Sequence, residues 1–146
     1  MQAKLISEAH GDRTFVLVFE TDDEVLEGLL EHARTERLSS ATFTGIGAFR
    51  SVTLGYFELD RRDYLRIPLE EQVEVLSLTG NIALADGEPK VHAHVVVGRK
   101  DGTAHGGHLL DARVRPTLEL VLVEAEPHLR RVVDPNTGLP LIRPDL

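Results

Sequence analysis

Four of the seven histidines, His92, His94, His105 and His108, fall between Val91 and Leu110. A neutral imidazole binds a divalent metal through one ring nitrogen, and three of them with room for a water describe a metal centre better than a structural core. The chain has no cysteine. Thiolate sites, iron–sulfur clusters and cysteine nucleophiles are therefore excluded, and any metal must be held by nitrogen and oxygen. Zinc is the first expectation for three histidines, with iron, nickel and manganese as alternatives. Water on such a zinc ionises near pH about 7, and the metal can polarise a carbonyl.

Such chemistry needs a frame that brings the rings together. The segment reads as two short strands joined by a tight turn. His92 and His94 are two residues apart on a strand and so share a face. Lys100-Asp101-Gly102 fits a three-residue hairpin loop closed by a left-handed glycine, which pairs Arg99 with Thr103. Counting back along both strands sets His94 opposite His108, where facing Cβ atoms lie about 4.5–5.5 Å apart, with His92 diagonal to them. The same count sends His105 to the other face and excludes it. A two-residue loop would misplace His108 unless a bulge restored it. Gly106-Gly107 carries no side chain to crowd an ion and could also bulge to re-aim His108. A His-X-His pair alone is often two surface polar residues of an alternating strand. The third histidine, placed by an independent turn argument, favours His92, His94 and His108 as a metal set.

Other residues carry weaker signals. Gly45-Ile46-Gly47 is no dinucleotide fingerprint, lacking a third glycine and a following helix; close backbone approach or a strand bend is its expected role. Glu119 and Glu74 read as outward residues of alternating strands, with an acid behind the metal ligands as the sharper alternative. Tyr56 and Arg50 are candidate pocket residues without independent support. No serine or lysine is placed for nucleophilic catalysis.

Around the histidine segment the chain alternates β-like runs with turn signals. Arg13–Phe19 is a strand. Thr21-Asp-Asp-Glu24 fits a capping box for a helix from about Asp22 to about Glu36, with Val25, Leu26, Leu29, Leu30 and Ala33 at helical spacing. Strands are expected over 41–48, 52–58, 64–67 (stopped by Pro68), 72–83, 90–110 as the hairpin, 117–124 and 129–133. Asp134 to Leu146 holds three prolines and reads as a loop or tail whose apolar residues dock on the body or on a neighbouring subunit. One helix and some seven to nine strands predict an α+β fold: a mostly antiparallel, strongly curved sheet or sandwich in a single domain over 1–146, with the tail from about 134.

The length of 146 residues suits one domain that builds its core without disulfides, and the absence of cysteine fits a reducing cytoplasm. Sixteen basic against 24 acidic residues give a formal charge of -8. Such a chain is repelled by phosphate unless its basic residues gather on one face, and here they are scattered. No apolar run is long enough for a signal peptide or a membrane span, so a soluble, cytoplasmic protein is expected.

Taken together, Thr44–Ala48, Val73–Ala83, Val91-His-Ala-His-Val95, Gly106-Gly-His108 and Thr117–Leu122 occur in the order seen in the plants-and-prokaryotes conserved (PPC) domain family, which the chain resembles from Phe15 to Val123. The resemblance implies an α+β domain assembling as a homotrimer. It implies, for the prokaryotic branch, a metal on the histidines that correspond to His92, His94 and His108. The fold and histidine spacing are also similar to acetolactate decarboxylase, a zinc enzyme acting on a small 2-hydroxy-2-methyl-3-oxo acid. The family is often labelled DNA-binding because its plant members carry AT-hooks; this chain has no Arg-Gly-Arg-Pro core.

Three functions follow as expectations. The first is a metal-dependent lyase, hydrolase or binder of a small oxo or hydroxy acid. The second is a DNA-associated regulatory protein. The third is a trimeric interaction module whose metal is structural.

Overall fold

The computed structural model describes residues 1–124 and 129–145. In chain order the elements are β1 (Gln2–Ala9), β2 (Asp12–Glu20), α1 (Val25–Thr35), β3 (Ser40–Glu58), β4 (Asp63–Leu69), β5 (Val73–Ala85), β6 (Glu88–Gly98), β7 (Ala104–Glu124), β8 (Arg130–Val133) and β9 (Pro140–Ile142). They form one curved nine-stranded sheet with a single helix, an α+β architecture rather than a sandwich of two sheets. All pairings are antiparallel except β5 with β8, so the sheet is mixed.

Two long strands set the shape. β3 pairs with β4, β5 and β7, and β7 pairs with β2, β3 and β6. Because β6 also pairs with β5, hydrogen bonding runs in a closed circuit, β3–β5–β6–β7 and back to β3. A circuit has no free edge within it, which removes the hazard of exposed strand edges there. The expected strands 41–48 and 52–58 are one continuous β3, bent where its register with β7 shifts between Gly47 and Phe49, Phe49 and Ser51, and Thr53 and Leu54. Gly45 and Gly47 mark the closest approach: a Cβ on Gly47 would stand 2.7 Å from Leu118 Cα, and one on Gly45 2.5 Å from the Glu119 carbonyl oxygen. The core holds Phe19, Phe49, Leu54, Leu78, Ile82, Leu109, Leu118 and Leu122, all at most 1% exposed, closed by Val25, Leu29 and Ala33 of α1. Among the described residues no helix is long and apolar enough to cross a membrane.

Several boundaries differ from the sequence expectation for identifiable reasons. α1 starts at Val25, capped by Glu24, whose carboxylate accepts from the Glu27 N–H at 2.6 Å. The expected cap Thr21 instead donates its hydroxyl to the Pro116 carbonyl at 3.3 Å, and Asp22 takes a positive φ of 73° that keeps it out of the helix. β4 runs through Pro68, which pairs with Thr53. β4 has β3 as its one neighbour in the sheet, and such a strand tolerates a missing N–H. β1 was not expected at all: every residue in it is exposed, so no apolar alternation betrays it. It folds onto β2 through His10-Gly11, both at positive φ, the two-residue turn whose twist suits a hairpin.

The expected tail is also corrected. β9 pairs antiparallel with β8, Arg131 opposite Ile142, and makes a small hairpin. Its loop is tied by Asp134, whose carboxylate accepts from the Thr137 N–H and hydroxyl at 2.9 and 2.8 Å. The hairpin hangs from β5 through the parallel pairs Leu84–Arg130 and Ala85–Arg131. Leu146, the end of the expected tail, lies outside the described residues.

Candidate metal centre

On β6, Ala93, Val95 and Val97 are buried at 2%, 1% and 0% exposure, so His92 and His94 take the opposite face. The turn that returns β7 is the three-residue loop the sequence implies. Arg99 N–H donates to the Thr103 carbonyl at 2.9 Å, Gly102 N–H donates to the Arg99 carbonyl at 2.9 Å, and Gly102 sits at φ 81°. Asp101 accepts from the Thr103 hydroxyl at 2.6 Å and N–H at 3.0 Å, which locks the loop. The register that results places His94 opposite His108 and His105 opposite Val97. His105 thus takes the other face, as expected.

The ladder is unbroken from His108 to Ala104, so Gly106-Gly107 does not bulge. Gly107 has a different role. A Cβ there would stand 2.8 Å from the Gly55 carbonyl oxygen, so the missing side chain lets β7 lie against β3 directly behind His108.

The three imidazoles converge. One ring nitrogen from each of His92, His94 and His108 lies within 4.8 Å of the others. His92 Nε2 and His94 Nε2 are 3.2 Å apart, and ring centroids stand at 5.1, 5.2 and 5.5 Å. Tyr64 of β4 stacks on His108 at 4.7 Å with 23° between planes. Nδ1 of His108 is buried with no partner among the described residues. A buried polar atom left so is costly unless something else satisfies it.

Charge is disfavoured on the His92 and His108 rings. Burial, with His92 and His94 beside it, pushes the His108 imidazole down from 6.5 to about 4. Burial also lowers His92, helped by the Arg131 cation and by His94. Burial raises the Tyr64 phenol and lowers the Arg131 guanidinium. His92 and His108 are thus held in the neutral form that a metal ligand requires. The donor set of three imidazoles on one face, one of them with an unsatisfied nitrogen, fits a divalent ion.

A cavity of about 230 Å³ opens beside the triad. It is lined by Tyr64, His92 and His108, by Lys90, Val91 and Arg131, and by Leu139–Leu141 at and before β9. A larger hollow between Asp22, Arg50, Glu70 and Arg113 holds no clustered imidazoles. Of the weaker sequence candidates, none reaches the triad's cavity. Glu119 and Glu74 are exposed, Tyr56 is 65% exposed, and Arg50 pairs with Asp22 at 2.5 Å. Sequence reasoning missed Tyr64 and Arg131. Both arrive through long-range pairing, β4 on β3 and β8 on β5, and neither stands in a distinctive motif.

Three solved structures share this fold over nearly the whole chain. A plant- and prokaryote-conserved protein from Pyrococcus horikoshii is 32% identical with a TM-score of 0.85, covering 97% of this chain and 94% of its own. A metal-containing protein from Archaeoglobus fulgidus is 29% identical at TM-score 0.83, covering 97% and 96%. A protein from Bacteroides thetaiotaomicron, provisionally described as DNA-binding, is 26% identical at TM-score 0.88, covering 97% and 96%. A likeness of fold alone extends to the acetolactate decarboxylase of Bacillus subtilis, 14% identical at TM-score 0.56 over 76% of this chain and 52% of that one. No curated protein matches the chain. The model of the Plants and Prokaryotes Conserved (PCC) domain matches residues 6–126, a span that contains the histidine hairpin and the whole strand circuit around it, and the chain belongs to that family.

Proposed function

We propose that the chain is a single-domain, cytoplasmic metal-binding protein that works as a homotrimer. His92, His94 and His108 hold a divalent ion, zinc first among the candidates, and the adjoining cavity takes a small oxo or hydroxy acid. The observation that carries this reading is the convergence of three imidazole nitrogens within 4.8 Å on one face of a hairpin. The metal-containing relative from Archaeoglobus fulgidus supports it. A bound ion would supply Lewis acidity toward a carbonyl or a water, the chemistry of a metal-dependent lyase or hydrolase.

The chain's own residues supply the rest. The β6–β7 ladder fixes the rings, the Tyr64 stack holds His108 in orientation, and the cavity admits one small molecule beside them. Exposed apolar side chains on the sheet, Ile46 at 62%, Leu76 at 53% and Val121 at 42%, support association with further copies.

Elemental analysis of the purified protein beside a His92→Ala/His94→Ala/His108→Ala variant tests the metal. The wild type is expected to carry about one ion per chain and the variant none; equal metal in both defeats the reading. Light scattering after size exclusion tests the trimer. A DNA-associated role is the second reading, supported by the description of the Bacteroides relative and opposed by the charge of -8. A gel shift at low salt decides it, since phosphate-driven binding is strongest there.

A further inference from the structure

Arg131 is the one arginine that the described core buries, at 8% exposure, and no carboxylate neutralises it among the described residues. Its Nη1 donates to the Pro140 carbonyl at 3.0 Å and its Nη2 to the Asn81 side-chain oxygen, both neutral acceptors. Its Nε–H is buried and donates to nothing among the described residues. The contrast within the chain is sharp. Arg13, Arg50, Arg66, Arg99 and Arg143 each rest on a carboxylate, although all of them are more exposed to water. A cation removed from water without a counter-charge is strongly unfavourable, and a missing anion is the usual completion.

The place where that anion would sit is the cavity of the histidine triad. Arg131 lines it together with Lys90, which makes no ion pair among the described residues. No Asp or Glu lines it, in a chain with 24 acidic residues. The overall charge of -8 is thus locally reversed at this opening. The remaining wall is apolar, from Val91 and Leu141, and leaves space of about 230 Å³.

We infer that Arg131 is the carboxylate-binding residue of the site, its guanidinium supplying the positive charge for the acid group of a small monocarboxylate while the ligand's oxo or hydroxyl oxygen faces His92 and His108. Lys90 adds long-range attraction at the mouth. The inference deepens the proposed function and rests on its cavity and ligand class, but the anion contact itself does not need the metal. A guanidinium fork suits a planar carboxylate, and the short apolar wall suits a compact hydrocarbon body.

The test is a ¹H–¹⁵N spectrum of the arginine Nε–H groups of the full chain, titrated with pyruvate and with 2-hydroxyisobutyrate. Pyruvamide, 2-hydroxyisobutyramide and inorganic phosphate serve as comparisons, each with zinc and after treatment with EDTA. The Arg131 resonance is expected to move and saturate with the acids and to stay in place with the amides, in both metal states. By calorimetry, Arg131→Gln is expected to bind the acids about 10- to 100-fold more weakly, the loss of a charge-assisted hydrogen bond. Amides binding as well as acids, a still Arg131 resonance, or a response to phosphate alone would each overturn the inference. The wild-type resonance decides the matter even if Arg131→Gln does not fold. Acid binding without zinc uptake leaves Arg131 standing and defeats the metal reading; zinc uptake without any acid response does the reverse.

Discussion

His94 and His108 are Cα partners across the β6–β7 ladder, and their rings meet nearly at right angles, 88°, with centroids 5.5 Å apart. That pairing follows from a loop of three residues. One residue fewer would send His108 toward the core face, because side chains alternate along a strand.

His105→Ala is accordingly expected to keep full metal loading, while His94→Ala loses it. The two lie on the same hairpin, three residues of ladder apart, but on opposite faces. Zinc titration by calorimetry on both variants checks this. Loss of binding in His105→Ala would mean that the face assignment is wrong.

Gly102→Val isolates the backbone cost of the turn. Nothing lies within 4 Å of a Cβ built at this position, so no clash contributes, and φ 81° alone opposes the substitution. A destabilisation of about 1–2 kcal/mol is expected from urea melts.

Gly107→Ala acts differently, since its methyl would meet the Gly55 carbonyl oxygen at 2.8 Å. β7 must then move off β3 just where His108 is attached. Overpacking of this kind costs about 1–3 kcal/mol, and zinc affinity should drop with stability. Wild-type zinc affinity in Gly107→Ala would show that His108 is positioned by the β6 ladder alone.

Acid should destabilise the metal-free fold. Burial lowers the folded-state values of His32, His92 and His108, so between the ordinary histidine value of 6.5 and the folded value of about 4 for His108 the unfolded chain binds more protons. Stability is therefore complete above about pH 6.5 and falls as pH falls through that window. His32, 5% exposed and edge-on to Phe15 at 4.8 Å, leaves its Nε2 unpartnered among the described residues. His32→Leu is expected to flatten the acid side of the stability profile in urea melts at pH 7 and pH 5. An unchanged slope would assign the acid sensitivity to other groups.

How much of this was readable in advance depends on the range of the interactions involved. The histidine register was legible because Asp101-Gly102 dictates a local turn and the count from it is short. β2, α1 and β5 were legible because Phe15, Leu17 and Phe19, or Val25, Leu29 and Ala33, repeat at the spacing of their element. β1 was not, since it hydrogen-bonds to β2 without burying a side chain. The cap at Glu24 was misread because Thr21 is drawn away by Pro116, 95 residues distant in sequence. Tyr64 and Arg131 join the site only through the order of strands, which no local pattern encodes. Of the expected curved sheet or sandwich, the single curved sheet is what forms, and it is mixed because β8 pairs parallel with β5.

The β8–β9 hairpin joins the circuit through the two pairs Leu84–Arg130 and Ala85–Arg131, whereas the histidines stand on strands inside it. The three imidazoles take their positions from the register of the circuit itself, because β6 and β7 carry them. Arg131 instead comes from the β8–β9 hairpin, held to β5 by those pairs and by its side-chain contact with Asn81. The two sides of the cavity are thus set by separate strand pairings, β6–β7 for the imidazoles and β5–β8 for the guanidinium.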